Sequence, residues 1–216
     1  MLRILIADDH EVIRNSLRGL LSRREGWQIC GEAVHGREAV EMAKRLRPDI
    51  VVLDVSMPLL NGIEVTFQIR KALPRTEILI ITMHETKELV EQVMSAGARG
   101  YLLKSDATAH IEAAVETLAK HNSYFSPSIA NIMLDAITTT VESQRGPIVG
   151  PGPLTVRERE VMQLLAEGKT NKQIATLLGL TVATAQTHRA TIMRKLHLSS
   201  VAELVRYAVR NKIIEP

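Results

Sequence analysis

The sequence has 216 residues, which is enough for two domains of ordinary size. Hydrophobic residues make up 45% and charged residues 24%, as in globular domains, and no apolar run has the roughly 18 residues of a membrane span. The N-terminus lacks the long apolar segment of a signal peptide, so we expect a cytoplasmic protein without membrane contact. The single cysteine, Cys30, excludes an internal disulfide and any cysteine-based metal cluster within one chain.

The charge of the chain is unevenly distributed. Residues 1–122 contain 16 basic and 17 acidic side chains, whereas residues 151–216 contain 10 basic and 5 acidic side chains. The C-terminal part therefore carries a net charge of +5, although the whole chain has only +3. This excess predicts that the C-terminal part contacts a polyanion.

Short apolar runs alternate with amphipathic segments along the first half of the chain. Continuous runs of Ile, Val and Leu are typical of strands that are buried on both faces of a parallel sheet. Strands are predicted at residues 2–7, 27–33, 49–54, 77–82 and 99–103. Helices are predicted at residues 11–24, 36–47, 62–72, 87–96 and 107–121. The alternation predicts a doubly wound α/β domain with right-handed crossovers.

The pattern changes after residue 122. Residues 123–150 are interpreted as a linker, with a flexible Gly- and Pro-containing stretch from Ser143 to Gly152. The remaining residues, 151–216, have a purely helical pattern, and Thr155 with Glu158 has the spacing of a capping box. Helices are predicted at residues 156–167, 171–178, 182–196 and 200–211. The predicted organisation is therefore an α/β domain at residues 1–122, a linker, and an all-α four-helix domain.

Polar side chains stand at the carboxyl ends of four predicted strands. Asp8 and Asp9 follow the first strand, Asp54 ends the third, Thr82 ends the fourth and Lys104 follows the fifth. Open parallel sheets bind ligands at this edge, so we expect these groups to converge on one cleft. Crowded carboxylates repel each other, and a hard divalent cation such as Mg²⁺ relieves the repulsion. One carboxylate is then able to attack a phosphoryl donor, so the set predicts an aspartyl-phosphate site.

These residues carry a family resemblance. The chain resembles the receiver domain of two-component response regulators over roughly residues 1–122, which implies a flavodoxin-like (βα)5 fold. The matching positions are Asp8–Asp9, the segment DVSMPLLNG (Asp54–Gly62), Thr82, Tyr101 and Lys104. The resemblance implies that Asp54 is the phosphoacceptor and that a sensor histidine kinase is the phosphodonor.

The resemblance also implies a magnesium site around the phosphoacceptor. Asp9, Asp54 and the backbone carbonyl of Ser56 would bind Mg²⁺ directly, and Asp8 would act through a water molecule. An aspartyl-phosphate site of this kind also suggests an alternative class, a phosphatase of the haloacid dehalogenase type. That family needs an Asp-x-Asp motif, and here Val55 and Ser56 follow Asp54.

Three further positions are implied to bind the phosphoryl group or to report on it. Lys104 would pair with the group, Thr82 would turn inward to bond it, and Tyr101 would move into the space that Thr82 vacates.

Two positions depart from the usual pattern. Ser105 replaces a common proline, which leaves the isomer of the Lys104–Ser105 bond open, and Met83 is a large residue that would restrict access.

His84, next to Met83, is interpreted either as a modulator of phosphoryl hydrolysis or as an exposed loop residue.

The C-terminal part resembles the LuxR-type helix-turn-helix of the NarL/FixJ response regulators, from Leu154 to about Ile213. Its second motif helix, Val182–Leu196, would be the recognition helix, with N-terminal residues that reach base edges. The candidate base contacts are Gln186, Thr187 and Ala190. The candidate phosphate contacts are Thr170, Asn171, Lys172, Arg189, Arg194 and Lys195.

Together the two resemblances imply a DNA-binding response regulator, not an enzyme. Phosphorylation of Asp54 would shift an existing equilibrium, and the activated chain would form a homodimer on two promoter half-sites. In the resting state, the receiver or the linker would keep the recognition helix from DNA or keep the chain monomeric. An alternative is a receiver that acts as a constitutive dimerisation module, in which case DNA binding would not depend on phosphorylation.

Overall fold

The computed structural model describes residues 1–130, 154–211 and 213–214. Its N-terminal half is a parallel sheet in the order β2-β1-β3-β4-β5-β6. The strands are β1 (Leu2–Ala7), β2 (Trp27–Ala33), β3 (Ile50–Asp54), β4 (Glu77–Thr82), β5 (Gly100–Leu103) and β6 (Tyr124–Phe125). The order confirms the predicted flavodoxin-like topology, in which β1 and β3 are neighbours at the point where the direction of winding reverses.

Five helices cover the two faces of the sheet. They are α1 (Glu11–Leu21), α2 (Gly36–Leu46), α3 (Gly62–Ala72), α4 (Lys87–Ser95) and α5 (Ala107–Ala119). Helices α2, α3 and α4 contribute to one apolar cluster, and α1 and α5 contribute to the other. Each helix begins and ends within three residues of its predicted bounds, because the apolar residues that recur at helical spacing mark the face that is buried against the sheet.

Burial on both faces of the sheet explains why the central strands are apolar at every position. In β3, Ile50 and Val52 belong to the cluster under α1 and α5, whereas Val51 and Leu53 belong to the opposite cluster. All four are at most 1% exposed. Because successive side chains point to opposite faces, a strand covered on both faces must be apolar at every position. Each buried side chain of this size contributes about 1.5–3 kcal/mol.

The sheet extends into the segment that the sequence assigned to the linker. Tyr124 and Phe125 pair in parallel with Gly100 and Tyr101 and form a sixth strand that the sequence did not predict. Residues 127–130 are helical. The stretch from Ser143 to Gly152, predicted to be flexible, lies outside the described residues.

The C-terminal part is all-helical, as predicted. Its helices are α6 (Val156–Ala166), α7 (Asn171–Leu178), α8 (Val182–Lys195) and α9 (Val201–Arg210). Thr155 and Glu158 form the predicted capping box at the start of α6, and Thr170 forms another at the start of α7. Gly179 ends α7 with a left-handed φ of 63°, which glycine adopts without a steric penalty.

The helices of this part pack around a small apolar core. Leu164, Ile174, Ala185, Ile192 and Leu204 are all fully buried in it. Within the described ranges, no helix has both the length and the apolar character needed to cross a membrane.

Candidate acidic site and nucleic-acid interface

Two carboxylates and one ammonium group meet at the carboxyl edge of the sheet. Lys104 Nζ lies 2.8 Å from Asp8 Oδ2 and 3.2 Å from Asp54 Oδ2. Asp8 and Asp54 are only 1% and 3% exposed. The structure therefore brings together residues from the ends of β1, β3 and β5, in agreement with the strand order.

Asp9 and His10 complete a cluster of possible metal ligands. One ligand atom from each of Asp8, Asp9, His10 and Asp54 lies within 4.8 Å of the others. His10 Nδ1 is 2.8 Å from Asp9 Oδ1, and the His10 backbone N–H donates to Asp8 Oδ1. The three carboxylates are hard oxygen donors that suit Mg²⁺, whereas an imidazole nitrogen suits other metals better. Sequence reasoning missed His10, although it directly follows the acidic pair.

The electrostatics of the cluster also fit a divalent cation. Burial is the main cause that raises the pKa of Asp54 from its usual 3.8 to about 6; Lys104 opposes this rise, and the neighbouring Asp8 and Asp9 carboxylates add to it. Burial alone would lower the pKa of Lys104, but Asp54 and Asp8 outweigh it, so that pKa is raised. Lys104 therefore stays protonated, and its single charge leaves an excess of negative charge among three carboxylates.

The loop of residues 55–61 folds back against the end of β3. The Gly62 N–H donates to the carbonyl of Val55 at 2.8 Å. A Cβ atom at Gly62 would lie 2.3 Å from the Asp54 carbonyl oxygen, so glycine is required at this position. Asn61 caps α3 by accepting the Glu64 N–H. Ser56, whose carbonyl is the expected third metal ligand, lies in this loop and is partly buried.

The two expected switch residues are both buried and both contact the backbone of His84. The hydroxyl of Thr82 accepts the His84 N–H at 3.2 Å, and the hydroxyl of Tyr101 donates to the His84 carbonyl at 2.9 Å. Thr82 and Tyr101 are 0% exposed, so the Tyr101 ring already occupies the interior. Met83 is 69% exposed and points away from that interior.

The expected base-reading side chains lie on the outer face of α8. Gln186, Thr187 and Ala190 are exposed, while Ala185 and Ile192 on the opposite face are fully buried. The Thr187 hydroxyl donates to the carbonyl of Ala183 at 3.0 Å, which leaves its methyl group and lone pairs at the surface. The outer face of α8 therefore has short, mainly polar side chains that are accessible to solvent.

The expected phosphate contacts fall into two groups. Thr170, Lys172 and Arg194 are exposed, whereas Asn171 and Arg189 are partly buried.

Lys195, another expected phosphate contact, forms an ion pair inside the helical part. Lys195 Nζ lies 2.7 Å from Glu158 Oε2, in the same capping box that begins α6. The sequence did not suggest this pair, whose members are 37 residues apart. A DNA phosphate would have to compete with Glu158 for this ammonium group.

Comparisons with known proteins agree with both parts of the structure. Residues 4–116 match the family model of the response regulator receiver domain, and residues 152–208 match that of the bacterial regulatory proteins of the luxR family. The transcriptional regulatory protein MctR of Rhizobium johnstonii is 33% identical over 213 residues, which are 99% of this chain and 95% of that protein. LiaR of Bacillus subtilis, also a transcriptional regulatory protein, is 35% identical over 214 residues, 99% of this chain and 100% of that one.

A solved structure has the same fold. The two-component response regulator of the LuxR family from Aurantimonas is 35% identical, with a TM-score of 0.61. The alignment covers 63% of this chain and 97% of that one.

Proposed function

Because the chain belongs to the response regulators that join a receiver domain to a LuxR-type DNA-binding domain, we propose that Asp54 accepts a phosphoryl group from a sensor histidine kinase and thereby controls DNA binding. The observation that carries this proposal is the position of the Asp54 carboxylate, buried at the sheet edge with Lys104 Nζ at 3.2 Å. A buried carboxylate beside a fixed cation is suited to accept an anionic group.

In the proposed reaction, an Asp54 carboxylate oxygen attacks the phosphorus of a phosphohistidine. The phosphorus–nitrogen bond breaks, and an acyl phosphate forms on Asp54 while the imidazole leaves. Asp9, Asp54 and the Ser56 carbonyl would hold Mg²⁺, with Asp8 acting through water, and the ion supplies the charge neutralisation that phosphoryl transfer needs. Lys104 stays positively charged throughout and pairs with the transferred oxygens.

Thr82 and Tyr101 are proposed to report the phosphoryl group to the rest of the receiver. Both side chains already contact the backbone of His84, which belongs to the loop between β4 and α4. A hydrogen bond from the Thr82 hydroxyl to the phosphoryl group would change its bond to His84. The position of this loop would then depend on phosphorylation, as a two-state switch requires.

The helical part is proposed to bind promoter DNA as a cytoplasmic homodimer when Asp54 is phosphorylated. The net charge of +5 in residues 151–216 and the exposed outer face of α8 support this. Gln186, Thr187 and Ala190 would lie in the major groove, and the exposed basic side chains would bind phosphates. Two copies would bind half-sites about one helical turn apart.

The test compares Asp54→Asn with Asp49→Asn, the same chemical change at the exposed residue that directly precedes β3 at its other end. We expect Asp54→Asn to abolish phosphate incorporation from a radiolabelled histidine kinase and to abolish the phosphorylation-dependent increase in promoter binding. Asp49→Asn should retain both. Unchanged labelling of Asp54→Asn would refute the assignment. Promoter binding that never responds to phosphorylation would support a constitutive dimerisation module instead.

A further inference from the structure

Arg14 is a mostly buried basic residue beside the acidic site, and the proposed reaction does not use it. It lies in α1, about one turn from the start of the helix, and its side chain is only 12% exposed. Its Nη1 donates to the backbone carbonyl of Asp8 at 2.8 Å, and its Nε lies 3.8 Å from Glu32 Oε2. Because Glu32 belongs to β2 and Asp8 directly follows β1, the guanidinium joins α1 to the ends of two neighbouring strands.

The carbonyl that Arg14 binds belongs to the peptide bond between Asp8 and Asp9. This bond is planar, so the direction of its carbonyl also fixes the Asp9 N–H and restricts where the Asp9 side chain points. Asp8 is held by further bonds, since its N–H donates to the Ala33 carbonyl at 3.2 Å and its Oδ2 lies 2.8 Å from Lys104 Nζ. Asp9 follows at the surface. The path of the backbone after Asp8 therefore decides where the Asp9 carboxylate lies.

The start of α1 lacks the usual means of fixing such a turn. The N-cap residue is His10, whose side chain makes no cap bond to the described part of the helix. Serine, threonine, aspartate or asparagine at an N-cap would bond the first turn. Here Asp8 Oδ1 accepts the His10 N–H at 2.8 Å, and Arg14 closes the same turn from the helix side. A bond from a charged guanidinium is stronger than one between neutral groups, so Arg14 is well suited to hold residues 8–14 in one conformation.

Arg14 holds this turn without occupying the carboxylate oxygens of the cluster. Lys104 pairs with oxygens of Asp8 and Asp54, which a metal would also use. The bond from Arg14 goes to a backbone carbonyl, and the Glu32 carboxylate lies beside its guanidinium. Arg14 is therefore able to shape the site without competing with a cation for its ligands.

We propose that Arg14 is a positioning residue, which holds Asp9 in the orientation needed to bind a divalent cation beside Asp54. This inference rests on the proposed function for the metal site, whereas the bond between Arg14 and the Asp8 carbonyl does not depend on it. Groups that orient metal ligands without touching the metal typically raise metal affinity by about 10- to 100-fold. Loss of Arg14 should therefore weaken Mg²⁺ binding, and it should slow phosphorylation only where Mg²⁺ is limiting.

The first experiment titrates the full chain with Mg²⁺, without a phosphodonor, and follows the NMR shift of the Asp9 amide. Arg14→Met keeps an apolar stem and removes every donor, and we expect the Kd for Mg²⁺ to rise about tenfold or more. Arg14→Gln removes the charge and shortens the side chain, so its Kd should rise as well. This second variant provides the same test if Arg14→Met does not fold.

The matched control is Arg18→Met, one turn further along α1. Arg18 Nη1 donates to the same Glu32 at 2.8 Å, and its Nη2 donates to Asn15. Its side chain is 50% exposed. Because an exposed ion pair contributes little, the Kd for Mg²⁺ should stay within about twofold of the wild-type value.

A second measurement separates positioning from a general loss of stability. Phosphate incorporation from phosphoramidate is followed by mass spectrometry at increasing Mg²⁺ concentrations. In Arg14→Met, the half-saturating Mg²⁺ concentration should rise by the same factor as the Kd, while the rate at saturating Mg²⁺ should stay near the wild-type rate. A rate reduced equally at every Mg²⁺ concentration would overturn the inference. An unchanged Kd in the folded Arg14 variants would overturn it too.

The wild-type chain separates a failure of this inference from a failure of the proposed function. Mg²⁺ binding without phosphate incorporation at Asp54 would refute the phosphoacceptor, while the Kd values of the variants still test Arg14. Absence of Mg²⁺ binding would overturn the metal site together with the role of Arg14. Wild-type affinity in Asp9→Asn would overturn that role alone, since Arg14 is proposed to act through Asp9.

Discussion

Replacing Gly62 with alanine should destabilise the receiver at its phosphoacceptor. The added Cβ would lie 2.3 Å from the Asp54 carbonyl oxygen and 2.8 Å from the Val55 Cα, where ordinary contacts begin at 3.4 Å. Both obstructing atoms are backbone, so relief requires α3 or the end of β3 to shift by about 1 Å. Overpacking of this kind costs ~1–3 kcal/mol, and we expect a loss near the upper limit because no flexible side chain is able to yield.

Gly19 provides the matched control for this substitution. It lies in the last turn of α1 and is exposed, and a Cβ added there would meet no atom within 4 Å beyond its chain neighbours and the backbone of its own helix. Gly19→Ala should therefore stabilise the protein by ~0.5–1 kcal/mol, since alanine is the better helix former. The same chemical change should thus have opposite signs at the two glycines.

Trp27 makes the measurement selective for the receiver. It is the single tryptophan of the chain and lies in β2, so its fluorescence during urea unfolding reports the sheet. For a urea dependence of ~2 kcal/mol/M, a loss of ~3 kcal/mol lowers the midpoint by about 1.5 M. A Gly62→Ala midpoint within about 0.2 M of the wild-type value would refute the steric argument.

Two further predictions concern the helical part. Arg194→Ala should lower the slope of log K against log salt for DNA binding by about one, and Lys195→Ala by less, because Lys195 is already paired with Glu158. Equal slopes for the two variants would contradict this. Burial alone would raise the pKa of Glu158, but bonds from Lys195 and Thr155 hold it below its usual 4.5. The ionised Glu158 carboxylate therefore stabilises the fold above about pH 4.5, and this stabilisation is lost on acidification. The thermal unfolding temperature of Glu158→Gln should depend less on pH between about 6 and 3 than that of the wild type. Parallel pH profiles would exclude the pair as a source of stability.

Most of the secondary structure could be predicted from the sequence because burial leaves a periodic pattern. The run from Ile50 to Leu53 predicts a strand covered on both faces, and both apolar clusters confirm it. Thr155 and Glu158 predict the start of α6 because a capping box acts over three residues. The two-residue strand Tyr124–Phe125 could not be predicted, since it is too short to show a period.

The acidic site was predictable for a topological reason. In a doubly wound sheet, residues at the carboxyl ends of β1, β3 and β5 meet wherever they stand in the sequence, so Asp8, Asp54 and Lys104 could be grouped from the strand order. The hydrogen bonds of Thr82 and Tyr101 to the backbone of His84 could not be predicted from the strand order. They depend on the path of a loop, and its sequence has no periodic pattern.

The two folds, the acidic edge of the sheet and the polar outer face of α8 could all be predicted from the amino-acid sequence, because each follows from local periodicity or from strand order. The hydrogen-bond and ion-pair partners of the polar side chains, in contrast, become known only from the folded chain. Gln163 is an ordinary glutamine on a helix until Met57 and Asn61 are placed against it, and Lys195 is a free cation until Glu158 meets it. Such bonds need two segments distant in the chain to meet within about 3 Å, a condition that leaves no local signal in the sequence.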